Sequence, residues 1–227
     1  MYAVLGKESH LSLDNLLHPS PDGAALLRNE PVQARSTARL ASLLDAAAAV
    51  VDEVGYERLT TALVAERAGA SIGTVYRYFP DRIVVLQGLS ARFLTDSLEQ
   101  ITRTARNPDH GDWWQALDGV IDNLVDSFER VPGFRSLRFG DVLDLRPTSK
   151  VSGTSSVAEV VSEALAERFG LDRPELQFHV TVALEVADAL IARAFSTEHA
   201  GNEQYISEAR NIVRAYLIGF YGDPEGS

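Results

Sequence analysis

Cysteine is absent from the 227-residue chain, which excludes disulfide scaffolds, zinc–thiolate sites, iron–sulfur clusters and cysteine nucleophiles together. Lysine is nearly absent: of 21 basic residues only Lys7 and Lys150 are lysine, a skew towards arginine that reads as high-GC coding rather than as chemistry. No apolar run approaches the roughly 20 residues that cross a bilayer; the longest are short stretches such as Ala46–Val51. The first residues, Met1-Tyr-Ala-Val-Leu-Gly-Lys-Glu, carry neither the basic start nor the apolar stretch of a signal peptide. These absences give the expectation of a cytoplasmic protein with no membrane partner. What is present is ordinary: 45% hydrophobic and 23% charged residues, the balance of a globular chain with material for a real core. The length allows one large domain or two modest ones.

Charge is unevenly placed. The formal net charge is −11, yet residues 35–90 are neutral, with arginines 35, 39, 58, 67, 77 and 82 facing acids 45, 52, 53, 57, 66 and 81. Most of the acidic excess, −9, lies beyond residue 90, and the remaining −2 in residues 1–34. Local potential rather than total charge steers association, so the neutral segment remains able to meet a polyanion, and the total excludes only indiscriminate coating of nucleic acid.

Residues 1–34 contain Pro19, Pro21, Pro31 and Gly23 with only brief apolar patches, and read as a flexible arm. Leu40, Leu43, Leu44, Ala47, Val50, Val51 and Val54 then form one apolar stripe of helical period, ended by Gly55. Thr60 is a good N-cap for a short helix through Val64, Ala65 and Ala68; Ser71 caps a third over 72–79; Asp81 caps a long fourth. Helical patterns continue over 112–130, 134–145, 155–169, 174–196 (opened by Pro174) and 203–221. No alternating strand pattern and no repeat competes. The expected fold class is all-α: an N-terminal three-helix head over 35–82 and a helical body over 83–227.

Two short helices joined by a tight glycine-containing turn form a helix-turn-helix. Val64, Ala65 and Ala68 can face Val75 and Phe79, which leaves Ile72, Gly73, Thr74, Tyr76, Arg77 and Tyr78 on the other faces of a two-turn helix. Rings, hydroxyls and one guanidinium suit phosphate oxygens and base edges in a major groove. The string from Gly55 to Arg82, and within it Ala68-Gly-Ala-Ser-Ile-Gly-Thr-Val-Tyr-Arg-Tyr-Phe, resembles the DNA-binding head of TetR-type transcriptional regulators. The resemblance covers about 55 residues closely and the remaining helices only in general plan.

The resemblance implies a homodimer on a palindromic double-stranded DNA operator, with a small-molecule effector in the body that releases the DNA. It places Thr60 and Thr61 near a phosphate, Thr74 on the backbone, Tyr76 on a base edge or thymine methyl, and Tyr78 on another phosphate. Arg82 stands where the family usually has lysine and would bind phosphate. Arg35 and Arg39 would reach a flanking phosphate or the minor groove, Arg77 would read guanine or hold backbone, and Ser71, Ile72 and Gly73 complete the DNA-facing set. Ile72 replaces a position often polar or basic, which thins hydrogen-bond readout, and Leu63 stands where a polar residue is expected. The same fold also serves activators and DNA-free adaptors or scaffolds, so repression is one output among these.

The five histidines (10, 18, 110, 179 and 199) show no ligand spacing, so no metal is expected. Gly69-Ala-Ser-Ile-Gly73 follows no strand and is no phosphate loop. No nucleophile–base pair stands out, so neither an enzyme nor a cofactor is expected. In the body, Phe93, Trp113, Trp114, Leu117, Phe128, Phe134, Leu137, Phe139, Phe178 and His179 are candidates for an apolar effector pocket or for plain core. Arg135 and Arg138 read as a solvated face, with an anionic ligand as the other reading.

Overall fold

In the computed structural model, residues 26–138, 153–171, 175–197 and 200–224 are described, and every element among them is helical. They are α1 (Leu26–Val54), α2 (Thr61–Arg67), α3 (Ile72–Tyr78), α4 (Arg82–Ala105), α5 (Trp113–Arg130), α6 (Phe134–Leu137), α7 (Gly153–Phe169), α8 (Leu176–Thr197) and α9 (Glu203–Tyr221), with a 3₁₀ turn at Tyr56–Arg58 after α1. No described helix is long and apolar enough to cross a membrane. Phe139, Pro174 and the rest of the 134–145 segment beyond Arg138 lie outside the described residues.

The helix starts follow the expected side chains. The Thr60 hydroxyl accepts from the Leu63 amide (3.2 Å), Ser71 from Thr74 (3.2 Å), and Asp81 from both Ile83 and Val84 (2.7 and 3.0 Å). Asp112 accepts from Gln115 at 2.9 Å. Each cap satisfies amides that have no partner within the helix, and losing one costs about 1 kcal/mol. The first helix starts earlier than its apolar stripe: its backbone is helical from Leu26, so residues 26–34 continue it instead of forming a loose arm. Pro31 falls in the second turn, where its missing N–H forfeits a single bond.

One continuous core runs through head and body. In the head, Leu43, Val51, Leu59, Val64, Val75 and Phe79 are fully buried. In the body, α4 packs on α5 and α7, α7 on α8, and α8 on α9. Head and body are joined where α6 meets α1. There Gly133 has φ 78°, its amide donates to the Asp52 carboxylate at 3.0 Å, and an added Cβ would stand 3.0 Å from the Ala48 carbonyl oxygen and 3.3 Å from Val51. Gly133→Ala therefore meets both a disfavoured left-handed backbone and a backbone wall. We expect it to lose about 2 kcal/mol or more in chemical denaturation, while unchanged stability would show that this junction is soft.

Candidate nucleic-acid interface

The α2–α3 turn is closed by backbone geometry. Gly69, at φ 56°, donates to Glu66 O (3.1 Å), and Ala70 donates to Ala65 O (2.9 Å), a helix C-terminal closure that glycine makes without strain. Small residues at 65 and 68 let α3 come close enough for Val75 and Phe79 to bury completely. That burial fixes which side of α3 looks outward: Ile72, Gly73, Tyr76 and Arg77 are exposed, Ile72 by 43% and Tyr76 by 53%.

The candidate DNA-facing residues gather on this one end of the molecule, and most of their polar atoms are held by neighbours. Thr61 is buried and its hydroxyl donates to the Tyr76 phenol oxygen at 3.4 Å. Half-buried Tyr78 shares a hydrogen bond with Ser36 at 3.2 Å, tying α3 to α1. The Ser71 and half-buried Thr74 hydroxyls are 2.9 Å apart. The Arg77 guanidinium sits 5.2 Å over the Tyr78 ring, a cation–π placement. Arg82 is exposed and donates to the Glu57 carbonyl at 2.8 Å, bracing the 3₁₀ turn against the start of α4. Arg35 and Thr60 are exposed and Arg39 is half-buried.

Ser36 was not among the sequence candidates. Its only sequence signal is a hydroxyl one position after Arg35, and its partner is 42 residues away. Elsewhere in the head Arg67 pairs with Glu53 at 2.5 Å, and this hydrogen bond holds the Glu53 carboxyl below its usual range. Leu63 is exposed beside Val50 and Val54 in a shallow groove rimmed by Glu53, Glu66 and Arg67.

The described pocket candidates do not converge on one site. Phe93, Phe134 and Phe128 meet edge to face at 5.6 and 5.4 Å, and Phe195, which the sequence reading missed, stacks on Phe128 at 5.7 Å. Leu137, three residues after Phe134, is buried, as are Trp113 and Leu117 near the start of α5, about 22 and 16 Å along that helix from Phe128. Trp114 is half-buried, with the Arg214 guanidinium 5.9 Å above its ring. Phe178 and His179 belong instead to the α8–α9 end. His179 Nδ1 lies 2.7 Å from the Tyr221 hydroxyl and its ring stacks on Phe220 at 3.8 Å, a satisfied buried histidine. Phe178 is 65% exposed.

Arg135 and Arg138 are not a solvated face. Arg135 donates to the Phe128 carbonyl at 2.5 Å and covers the Phe195 ring at 4.8 Å, while Arg138 pairs with half-buried Asp188. Among the described residues no group of His, Asp or Glu converges as a metal site.

Comparison with known proteins agrees with this layout. Residues 43–85 match the family described as bacterial regulatory proteins, tetR family, and residues 111–221 match the tetracyclin repressor-like C-terminal domain. The chain is 38% identical over 191 residues to the HTH-type transcriptional repressor KstR of Mycolicibacterium smegmatis, covering 81% of this chain and 88% of that one. With KstR of Rhodococcus jostii the match is 31% over 90 residues, so the chain spans only 41% of that relative. A crystal structure of a TetR-family transcriptional regulator from Streptomyces coelicolor superposes with a TM-score of 0.66 at 36% identity, over 79% of this chain and 97% of that one.

Proposed function

This chain belongs to the TetR family of DNA-binding bacterial transcriptional regulators, and from that premise we propose that it is a ligand-responsive repressor that binds a palindromic operator as a homodimer. The observation that carries the reading is the outward face of α3: Ile72, Gly73, Tyr76 and Arg77 stand exposed on a helix whose opposite face is locked by Val75 and Phe79. Such a helix enters the major groove, its N-terminal residues towards base edges. Around it, Thr60, Ser71, Thr74, Tyr78 and Arg82 hold phosphates, and Arg35 and Arg39 at the α1 side reach the flanking backbone or minor groove. The functional head is residues 35–82 and the body 83–227. Residues 26–34 continue α1 ahead of the head.

The dimer reading is supported by the outer face of α8 and α9. Phe178 and Phe220 are exposed by 65% and 54%, and Tyr205, Ile212 and Gly219 recur every seven residues along α9, all exposed. Four helices, two from each copy, bury this surface in an isologous bundle. The effector binds in the body near the Phe93–Phe128–Phe134 cluster. Because Phe93 lies on α4, the helix that begins at the head, occupancy there shifts the spacing of the two heads. A ligand does this only through differential affinity for the two arrangements. The protein acts where the operator is, in the cytoplasm.

Enrichment of bound sequences from random duplex DNA by the full chain tests this. A palindromic consensus is expected, and no enrichment by folded dimer would refute operator recognition. On the enriched duplex, Tyr76→Ala is expected to lose about 5- to 150-fold in affinity, and Arg82→Ala to reduce the salt slope by about one. Unchanged affinity and slope in an anisotropy titration would show these contacts to be misassigned.

A further inference from the structure

The head carries an apolar strip that neither its core nor the outward face of α3 uses. Leu63 on α2 and Val54 at the end of α1 are 36% and 37% exposed, and they line a shallow groove together with buried Val50. The same groove is lined by Glu53, Glu66 and Arg67. Arg67 donates to Glu53 through one terminal nitrogen, and a guanidinium keeps further N–H donors beyond that one. Leu63, Glu66 and Arg67 stand three and four residues apart, so one side of α2 presents carbon and both signs of charge together. Two carboxylates beside a single guanidinium do not attract phosphate, which separates this groove from the DNA-facing residues around α3.

A two-fold contact sets a patch against itself. A patch of one sign then repels its copy, whereas an apolar centre flanked by both signs is self-complementary. The groove has that composition. We propose that it is the contact between heads of neighbouring dimers on one duplex, with a second copy of this chain as its occupant. Leu63 and Val54 of one copy pack on those of the other, and Arg67 faces the carboxylates of the opposite rim. Three apolar side chains bury far less than the roughly 1,200 Å² of a stable interface. The contact therefore forms where the duplex already holds two dimers side by side and makes their meeting effectively intramolecular. This inference rests on the operator reading.

The experiment uses the full chain and duplexes carrying one copy of the enriched palindrome, or two copies whose centres are stepped apart one base pair at a time across two helical turns. Anisotropy gives the affinities of the first and second dimers, and sedimentation velocity counts the chains bound. The second dimer is expected to bind about 10-fold tighter than the first at spacings that recur every 10–10.5 base pairs or so. Leu63→Gln keeps a good helix former at an exposed position, and is expected to remove this gain while leaving the one-copy affinity unchanged. Arg67→Glu leaves only carboxylates on the rim and is expected to remove the gain as well. Independent binding at every spacing, with the one-copy duplex bound normally, would overturn the head contact and leave operator recognition standing. A gain that survives in both variants would also overturn it. Failure to enrich any sequence would overturn the operator reading, and this proposal with it.

Discussion

Ala215→Arg is expected to convert the proposed dimer to a monomer and to lower affinity for the enriched duplex by about 100-fold or more. Ala215 is exposed, three residues after Ile212 and four before Gly219, in the middle of the uncovered α9 face. In an isolated chain an arginine there points into solvent, so it changes the stability of the subunit by only about 0.5 kcal/mol. In an isologous bundle the same position meets its own symmetry mate or a near neighbour, and two guanidinium groups would be buried without partners. The affinity loss follows because one head grips one half-site, whereas linked heads make the second contact intramolecular. Sedimentation velocity and anisotropy on the same sample read both effects. A variant that stays dimeric with wild-type affinity would place the subunit interface elsewhere.

Phe134→Ala is expected to destabilise the fold by about 3–5 kcal/mol. Phe134 is 1% exposed and is the ring that bridges Phe93 of α4 and Phe128 of α5. Its removal costs transfer energy and leaves a cavity lined by two aromatic edges. It also loosens α6, the short helix that carries Arg135 onto Phe195 and follows Gly133 at the contact with α1. For a chain of this size the loss corresponds to a melting temperature lower by roughly 6–20 °C. A shift of 2 °C or less in calorimetry would mean that the cluster already tolerates space of that size, as an open effector pocket would.

Most of the helical layout was legible because its signals are local. Thr60, Ser71, Asp81 and Asp112 each mark a helix start within three residues of the amides they cap, and the stripe from Leu40 to Val51 reports its buried face directly. The outward face of α3 was legible for the same reason: once Val75 and Phe79 are inside, helical geometry puts Ile72, Tyr76 and Arg77 outside. What stayed hidden depends on partners far along the chain. Ser36 meets Tyr78 across 42 residues and Arg138 meets Asp188 across 50, and periodicity names a face without naming what covers it. Arg135 and Arg138 therefore read as solvated, although α8 supplies the ring and the carboxylate that hold them. Phe178 shows the converse. A helix apolar on nearly every side reads as buried, yet within one chain this ring is 65% exposed, on the face that the proposed dimer would cover. The onset of α1 was missed because three prolines in residues 1–34 outweigh the short apolar patch at Ala24–Leu27.

The affinity of the full chain for its enriched duplex, set against a scrambled duplex of equal length and composition at about 50 and 200 mM salt, tests the central claim most directly. The account predicts a preference of about 1,000-fold or more for the enriched duplex at both salt concentrations, with two chains bound per palindrome. Equal affinities that fall together as salt rises would contradict it, since the head would then be gripping phosphates without reading bases.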